Sequence, residues 1–86
     1  PSGRRDDRII KDALMSAGFE IIELNRQLNL QLPESINHYT LAGFLLEQLQ
    51  QVPLKGQTLI NKGIIFEIVS MQGPRIDKVK IILKKN

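Results

Sequence analysis

The sequence predicts an α+β domain, a small mixed or antiparallel sheet with two helices packed on it. Three observations point there. Apolar residues recur at helical spacing in two segments before residue 50, the period changes to two from Gln57 onward, and the β part is punctuated by two glycine-containing turns, Asn61-Lys62-Gly63 and Gly73-Pro74. At 86 residues the chain makes one domain, large enough to bury roughly 60–65% of its unfolded surface and so to fold without disulfides or a structural metal.

The first element reads two ways. Ile9, Ile10, Ala13, Leu14 and Ala17 lie at helical spacing behind the capping residues Asp6 or Asp7, yet Ile10 and Leu14 against Ile9, Ala13 and Met15 also describe a two-faced strand. After Gly18, the segment Phe19 to Leu28 places Ile21, Leu24 and Leu28 on one helical face, with Glu20 and Glu23 near the positive end of the dipole. Asn29 is the predicted C-terminal cap, Pro33 bars continuation by holding Leu32 extended, and Glu34 to His38 reads as a polar loop.

Thr40 is suited to cap the second helix, in which Leu41, Phe44, Leu45 and Leu49 form the apolar stripe. Gly43 inside that helix costs about 1 kcal/mol relative to alanine and implies close packing. Val52-Pro53-Leu54-Lys55-Gly56 is predicted to end the helix and turn into the sheet. Strands follow at Thr58 to Ile60, Ile64 to Met71 and Ile76 to Leu83. The Ile64 strand is apolar on both faces and is expected in the middle of the sheet, covered on both sides. In the last strand Val79, Ile81 and Leu83 alternate with Lys78 and Lys80, but Ile76 shares parity with the lysines, so a bulge near Asp77 is expected. That strand is a candidate sheet edge, where its lysines would discourage uncontrolled pairing and leave a defined homodimer open.

Composition excludes more than it assigns. There is no cysteine, which removes disulfides, thiol nucleophiles and Cys-containing zinc sites and is compatible with a reducing compartment. The longest apolar run, Leu41 to Leu46, is far short of the roughly 20 residues needed to cross a bilayer, and no signal-peptide pattern is present. Pro1 in place of methionine suggests a piece of something longer. Net charge is +3, and residues 75–86 carry five cations against Asp77, so the basic character belongs to the C-terminal strand and tail. Few aromatics accompany these cations, which argues against nucleic acid. A solvated strand face is the simpler reading, and an anionic membrane surface is the better candidate for a weak contact.

No catalytic constellation assembles on paper. Ser2, Ser16, Ser35 and Ser70 have only His38 as a base and no nucleophile elbow, and His38 reads as a solvent-facing loop residue. Asp6, Asp7 and Asp12 are balanced by Arg4, Arg5, Arg8 and Lys11, which makes a dedicated cation cage unfavourable. Neither a Walker nor a dinucleotide glycine pattern occurs. The catalytic and metal assignments are therefore none. The helix start at Thr40 and Leu41 is the one weak candidate for binding a cofactor phosphate.

An ordered series runs through the chain: Gly18, Glu23-Leu24-Asn25, Leu30-x-Leu32-Pro33, Thr40-Leu41-Ala42-Gly43, Val52-Pro53-x-x-Gly56, Phe66-Glu67-Ile68-Val69 and Arg75-Ile76-x-x-Val79. From about Leu14 to Ile82 it resembles the C-terminal transporter-associated domain of the CorC/HlyC family, which includes magnesium and cobalt efflux proteins and hemolysin-like proteins. Ala17 departs from the acidic residue often found there. The resemblance implies a first strand at about 8–15 leading into the Gly18 turn, and a fold similar to part of a PCMH-type FAD-binding domain. It also implies a non-catalytic regulatory or interaction domain, residues 8–86 behind a lead-in of residues 1–7. Such a domain follows a CBS-domain pair and a membrane domain in the same bacterial protein, on the cytoplasmic side of the inner membrane. No cofactor is required. The alternative is a small-ligand module for FAD or an adenine nucleotide.

Overall fold

The structure, a computed structural model, describes residues 9–34 and 40–84. The expectations for the lead-in at 1–7, the caps Asp6 and Asp7, His38 with most of its loop, and the last two residues lie outside that range. Six elements follow one another: β1 (Ile9–Ser16), α1 (Ile21–Leu28), α2 (Leu41–Leu49), β2 (Thr58–Asn61), β3 (Ile64–Gln72) and β4 (Arg75–Lys84). The strands form one antiparallel sheet in the order β1-β4-β3-β2.

The ambiguous first segment is a strand. Its alternation serves the sheet, with Ala13 and Met15 opposite the buried Ile81 and Val79 of β4 and Leu14 opposite Lys80 on the other face. An isolated helix of this length is marginal in water, whereas the strand gains a ladder with β4 that is continuous from Lys11 to Ser16. This pairing corrects the candidate edge. β4 lies between β1 and β3, and the edges among the described residues are β1 and the short β2.

Both helices lie on one face. Ile21 and Leu24 of α1 and Leu41, Phe44 and Leu45 of α2 join Phe66, Ile68, Val79 and Ile81 of the sheet in one buried cluster. Phe44 meets Phe66 with ring centroids 5.6 Å apart at 55°, the tilted geometry that aromatic quadrupoles favour. β3 is central, as its sequence predicts, but among the described residues both helices cover the same side of it. Ile65, Glu67 and Val69 alternate with the core residues Phe66 and Ile68 and are half-buried beside their strand neighbours.

The bulge expected near Asp77 is present and has a counterpart. Ile68 pairs with Val79, Ser70 with Lys78 and Met71 with Ile76, so Val69 is extra on β3 and Asp77 is extra on β4. The two offsets compensate, and Ile76 turns inward with Val79 although three positions separate them. Ser70 Oγ donates to Asp77 Oδ2 at 2.9 Å, and Ala17 N–H donates to the Asp77 carbonyl at 2.9 Å.

Turn chemistry follows the residues. Lys62 and Gly63, at φ 52° and 82°, connect β2 and β3 through a two-residue loop with both central residues left-handed, the type I′ pattern. Gly73 at φ 60° followed by Pro74 connects β3 and β4 in the type II′ manner. Asn29 caps α1 in the left-handed conformation as expected. α2 ends earlier than its proline requires, because Gln50 adopts the same conformation and donates its N–H to the Leu46 carbonyl.

Asn25 supplies a feature with no regular-structure equivalent. From the flank of α1 its Oδ1 accepts the Leu32 N–H at 2.9 Å while its Nδ2 donates to the Leu32 carbonyl at 2.9 Å and to Glu34 Oε2 at 3.0 Å. One amide side chain thus substitutes for a strand partner and seats the buried Leu32 against the core. Asn25→Ala leaves both Leu32 backbone groups unpaired and is expected to cost about 2 kcal/mol in urea unfolding. In the same assay Gly18→Ala is expected to stay within about 0.5 kcal/mol, because Gly18 needs no left-handed backbone and, among the described residues, an added methyl meets only Ser16 Oγ at 3.7 Å.

Candidate functional site

The residues flagged for ligand binding sit at the start of α2, where chain segments distant in sequence converge. An isolated antiparallel bridge joins Glu20 to Thr40, bringing the β1–α1 turn against the helix. An open cleft of about 410 Å³ lies beside it, lined by Ala17 and Gly18 of the turn, Thr40, Ala42, Gly43 and Leu46 of α2, and Pro74, Arg75 and Ile76 of the β3–β4 hairpin. Arg75 is the charged residue of that lining.

An exposed helix start attracts phosphate because its first amides lack partners. Here they have them. Leu41 N–H donates to the Phe19 carbonyl at 2.9 Å, Ala42 N–H to the Ala17 carbonyl at 2.9 Å and Phe44 N–H to the Thr40 carbonyl at 3.0 Å. Gly43 N–H donates to Thr40 Oγ1 at 3.2 Å, the cap expected of this threonine. The Leu41 side chain is fully buried in the core, so of the two flagged residues only Thr40 faces the cleft.

Several hydroxyls and carboxylates serve the fold. Ser16 Oγ accepts the Gly18 N–H at 3.2 Å, and Ser70 is engaged by Asp77. Glu23 pairs with Arg26 at 2.8 Å and Asp77 with Lys78 at 3.5 Å, both at the surface. Among the described residues no three His, Cys, Asp or Glu side chains gather closely enough to hold a metal ion. A second, smaller cleft of about 310 Å³ runs between the α1 C-terminal cap and the β2–β3 turn, lined by Asn29, Leu32 and Lys62 among others. Sequence reasoning gave no role to Asn25, although an asparagine within a helix is a poor helix former and its presence there signals a side-chain commitment.

Residues 11–85 match the family described as the transporter associated domain, CorC_HlyC. The chain belongs to the CorC_HlyC family. A UPF0053 protein of Synechocystis sp. is 32% identical over 78 residues, which is 91% of this chain but 17% of the relative's length. The CorC_HlyC domain thus spans about a sixth of that curated relative.

Solved structures carry the same fold. A conserved domain from Neisseria meningitidis, 36% identical, superposes with a TM-score of 0.73 over 88% of this chain and 100% of its own. The transporter associated domain from Nitrosomonas europaea is 30% identical, with a TM-score of 0.75 over 87% of this chain and 89% of its own. The corresponding domain of a Xylella fastidiosa hemolysin, determined in complex with Mg²⁺ and Mn²⁺, is 27% identical, with a TM-score of 0.74 over 91% and 98%. CorC_HlyC domains therefore occur in transporter-associated and hemolysin-type proteins, and this chain shares their four-stranded sheet and two helices. Among the described residues no helix is long and apolar enough to cross a membrane.

If Thr40 acts as a cap, Thr40→Ala lowers unfolding stability by about 1 kcal/mol and Thr40→Ser restores most of the loss. Chemical denaturation of the three proteins checks this.

Proposed function

We propose that this CorC_HlyC domain is a non-catalytic regulatory and interaction module of a larger bacterial divalent-cation transport or efflux protein. In this reading it acts from the cytoplasmic face of the inner membrane, beside a CBS-domain pair and behind a membrane domain of the same polypeptide. The observation that carries it is the family match together with how the polar groups are used. The α2 amides, both described serines, Asn25 and Asp77 are committed to hydrogen bonds that hold the chain together. Such a fold presents surfaces more readily than reactive groups. The metal-bound Xylella relative supports a setting in which divalent cations are handled.

A second reading has one feature in its favour, the open cleft in which Thr40 and Arg75 face the same space. It makes the domain a small-ligand module for an adenine nucleotide or FAD. The saturated helix start weighs against it, since a phosphate there would have to displace existing hydrogen bonds.

Two measurements test the proposal. In proteoliposomes carrying the full-length parent protein, removal of this domain is expected to change Mg²⁺ or Co²⁺ flux, or its response to adenine nucleotide. Flux indistinguishable from that of the intact protein in both respects contradicts a regulatory role. In calorimetric titration of the isolated domain with FAD, ATP and AMP, the expected result is no saturable heat. Micromolar binding abolished by Arg75→Ala would establish the second reading instead.

A further inference from the structure

The sheet face that the helices leave uncovered has an ordered surface. Reading across β1, β4, β3 and β2, the register aligns Asp12, Ile82, Ile65 and Ile60 in one row and Leu14, Lys80, Glu67 and Thr58 in the next. Leu14 is 59% exposed and Ile60 is 68% exposed, and Ile65 and Ile82 are half-buried between them. Lys80 and Glu67 stand directly opposite each other across β4 and β3 at the middle of this face. Among the described residues neither forms an ion pair.

We propose that this face docks a second copy of the same chain, with two sheets stacked face to face about a two-fold axis parallel to the strands and running between β3 and β4. That axis exchanges β3 with β4 at unchanged height. It places Lys80 over Glu67 of the second copy and Glu67 over Lys80 of the second copy, while Ile82 and Ile65 meet Ile65 and Ile82. Leu14 falls over Thr58 of the second copy, and Asp12 over its Ile60 at the rim.

Stacked sheets sit about 10 Å apart with strands aligned to within about 30°, which the pleated face permits. Charge selects the occupant. An acidic partner would set a like charge against Glu67 and a basic one against Lys80, whereas a copy of the chain answers both, the self-complementarity an isologous interface demands. The extent of the face sets the strength. Strands of 8, 4, 9 and 10 residues cover at most about 500 Å² per copy, less than the roughly 800 Å² per partner of a standard stable interface. The dimer is therefore weak and reversible. This inference stands apart from the transport reading, because it concerns the isolated chain in solution. Domains of this extent have been crystallised as separate chains.

Sedimentation equilibrium from about 1 µM to about 1 mM, the span of weak complexes, tests it on the wild-type chain, on Lys80→Glu, on Glu67→Lys and on an equimolar mixture of the two variants. The wild type is expected to dimerise across this range. Each variant alone brings like charges together twice and is expected to dimerise at least ten-fold more weakly, and the mixture recovers association because every contact in the mixed dimer is again opposite in sign. Circular dichroism melts of each variant establish that the monomers are folded. A wild type that stays monomeric throughout overturns the proposal, as does a dimer indifferent to both substitutions or a mixture no stronger than its components. Loss of the dimer would leave the flux experiment, and the reading it tests, unaffected.

Discussion

The short segment from Ala17 to Phe19 is hydrogen-bonded on both sides, and the arrangement of the rest depends on it. Ala17 donates its N–H to the Asp77 carbonyl at the β4 bulge and accepts the Ala42 N–H from α2, while Phe19 accepts the Leu41 N–H. Three elements separated by tens of residues are thereby joined through backbone atoms alone. Ala17 is 3% exposed, so these bonds lie where water competes poorly and where an unpaired group would be costly. Alanine suits so buried a position, where a carboxylate would need a partner of its own.

The paired offsets at Val69 and Asp77 do for the sheet what that segment does for the helices. Without them, strict alternation would place Ile76 on the face of Lys78. With them, Ile76 joins the core and the hairpin closes against the cleft beside α2. All helical cover is spent on the Phe66, Ile68, Val79 and Ile81 face, and none remains for the Ile60, Ile65 and Ile82 face. Among the described residues the sheet thus has one side packed by both helices and one side without helical cover.

Local chemistry made much of this legible in the sequence. Thr40 announced its helix, Asn29 its cap, the Lys62-Gly63 and Gly73-Pro74 turns their hairpins, and the parity of Ile76 its bulge. What depended on non-local pairing was less legible. Periodicity left residues 9–16 between helix and strand, because the choice is made by β4, whose partners lie 62 to 75 residues further along the chain. The same partner converts β4 from a candidate edge into an interior strand. The apolar outer face of β3 suggested cover on both sides, yet among the described residues both helices pack on the other face and these residues stay half-buried. The weak ligand candidates, Thr40 and Leu41, illustrate the limit most clearly. A helix start looks open in sequence, and only the fold brings the Ala17 and Phe19 carbonyls to its amides.

The central claim is that the start of α2 is closed by the protein itself, and amide hydrogen exchange read by NMR tests it most directly. First-turn amides of an ordinary helix exchange rapidly because they lack partners. Here the Leu41, Ala42 and Gly43 amides, with that of Ala17, are expected to be protected to a degree comparable with the core strand amides of β3 and β4. Exchange of Leu41 and Ala42 at rates typical of exposed, unbonded amides would contradict the account and reopen the helix start as a site for an anion.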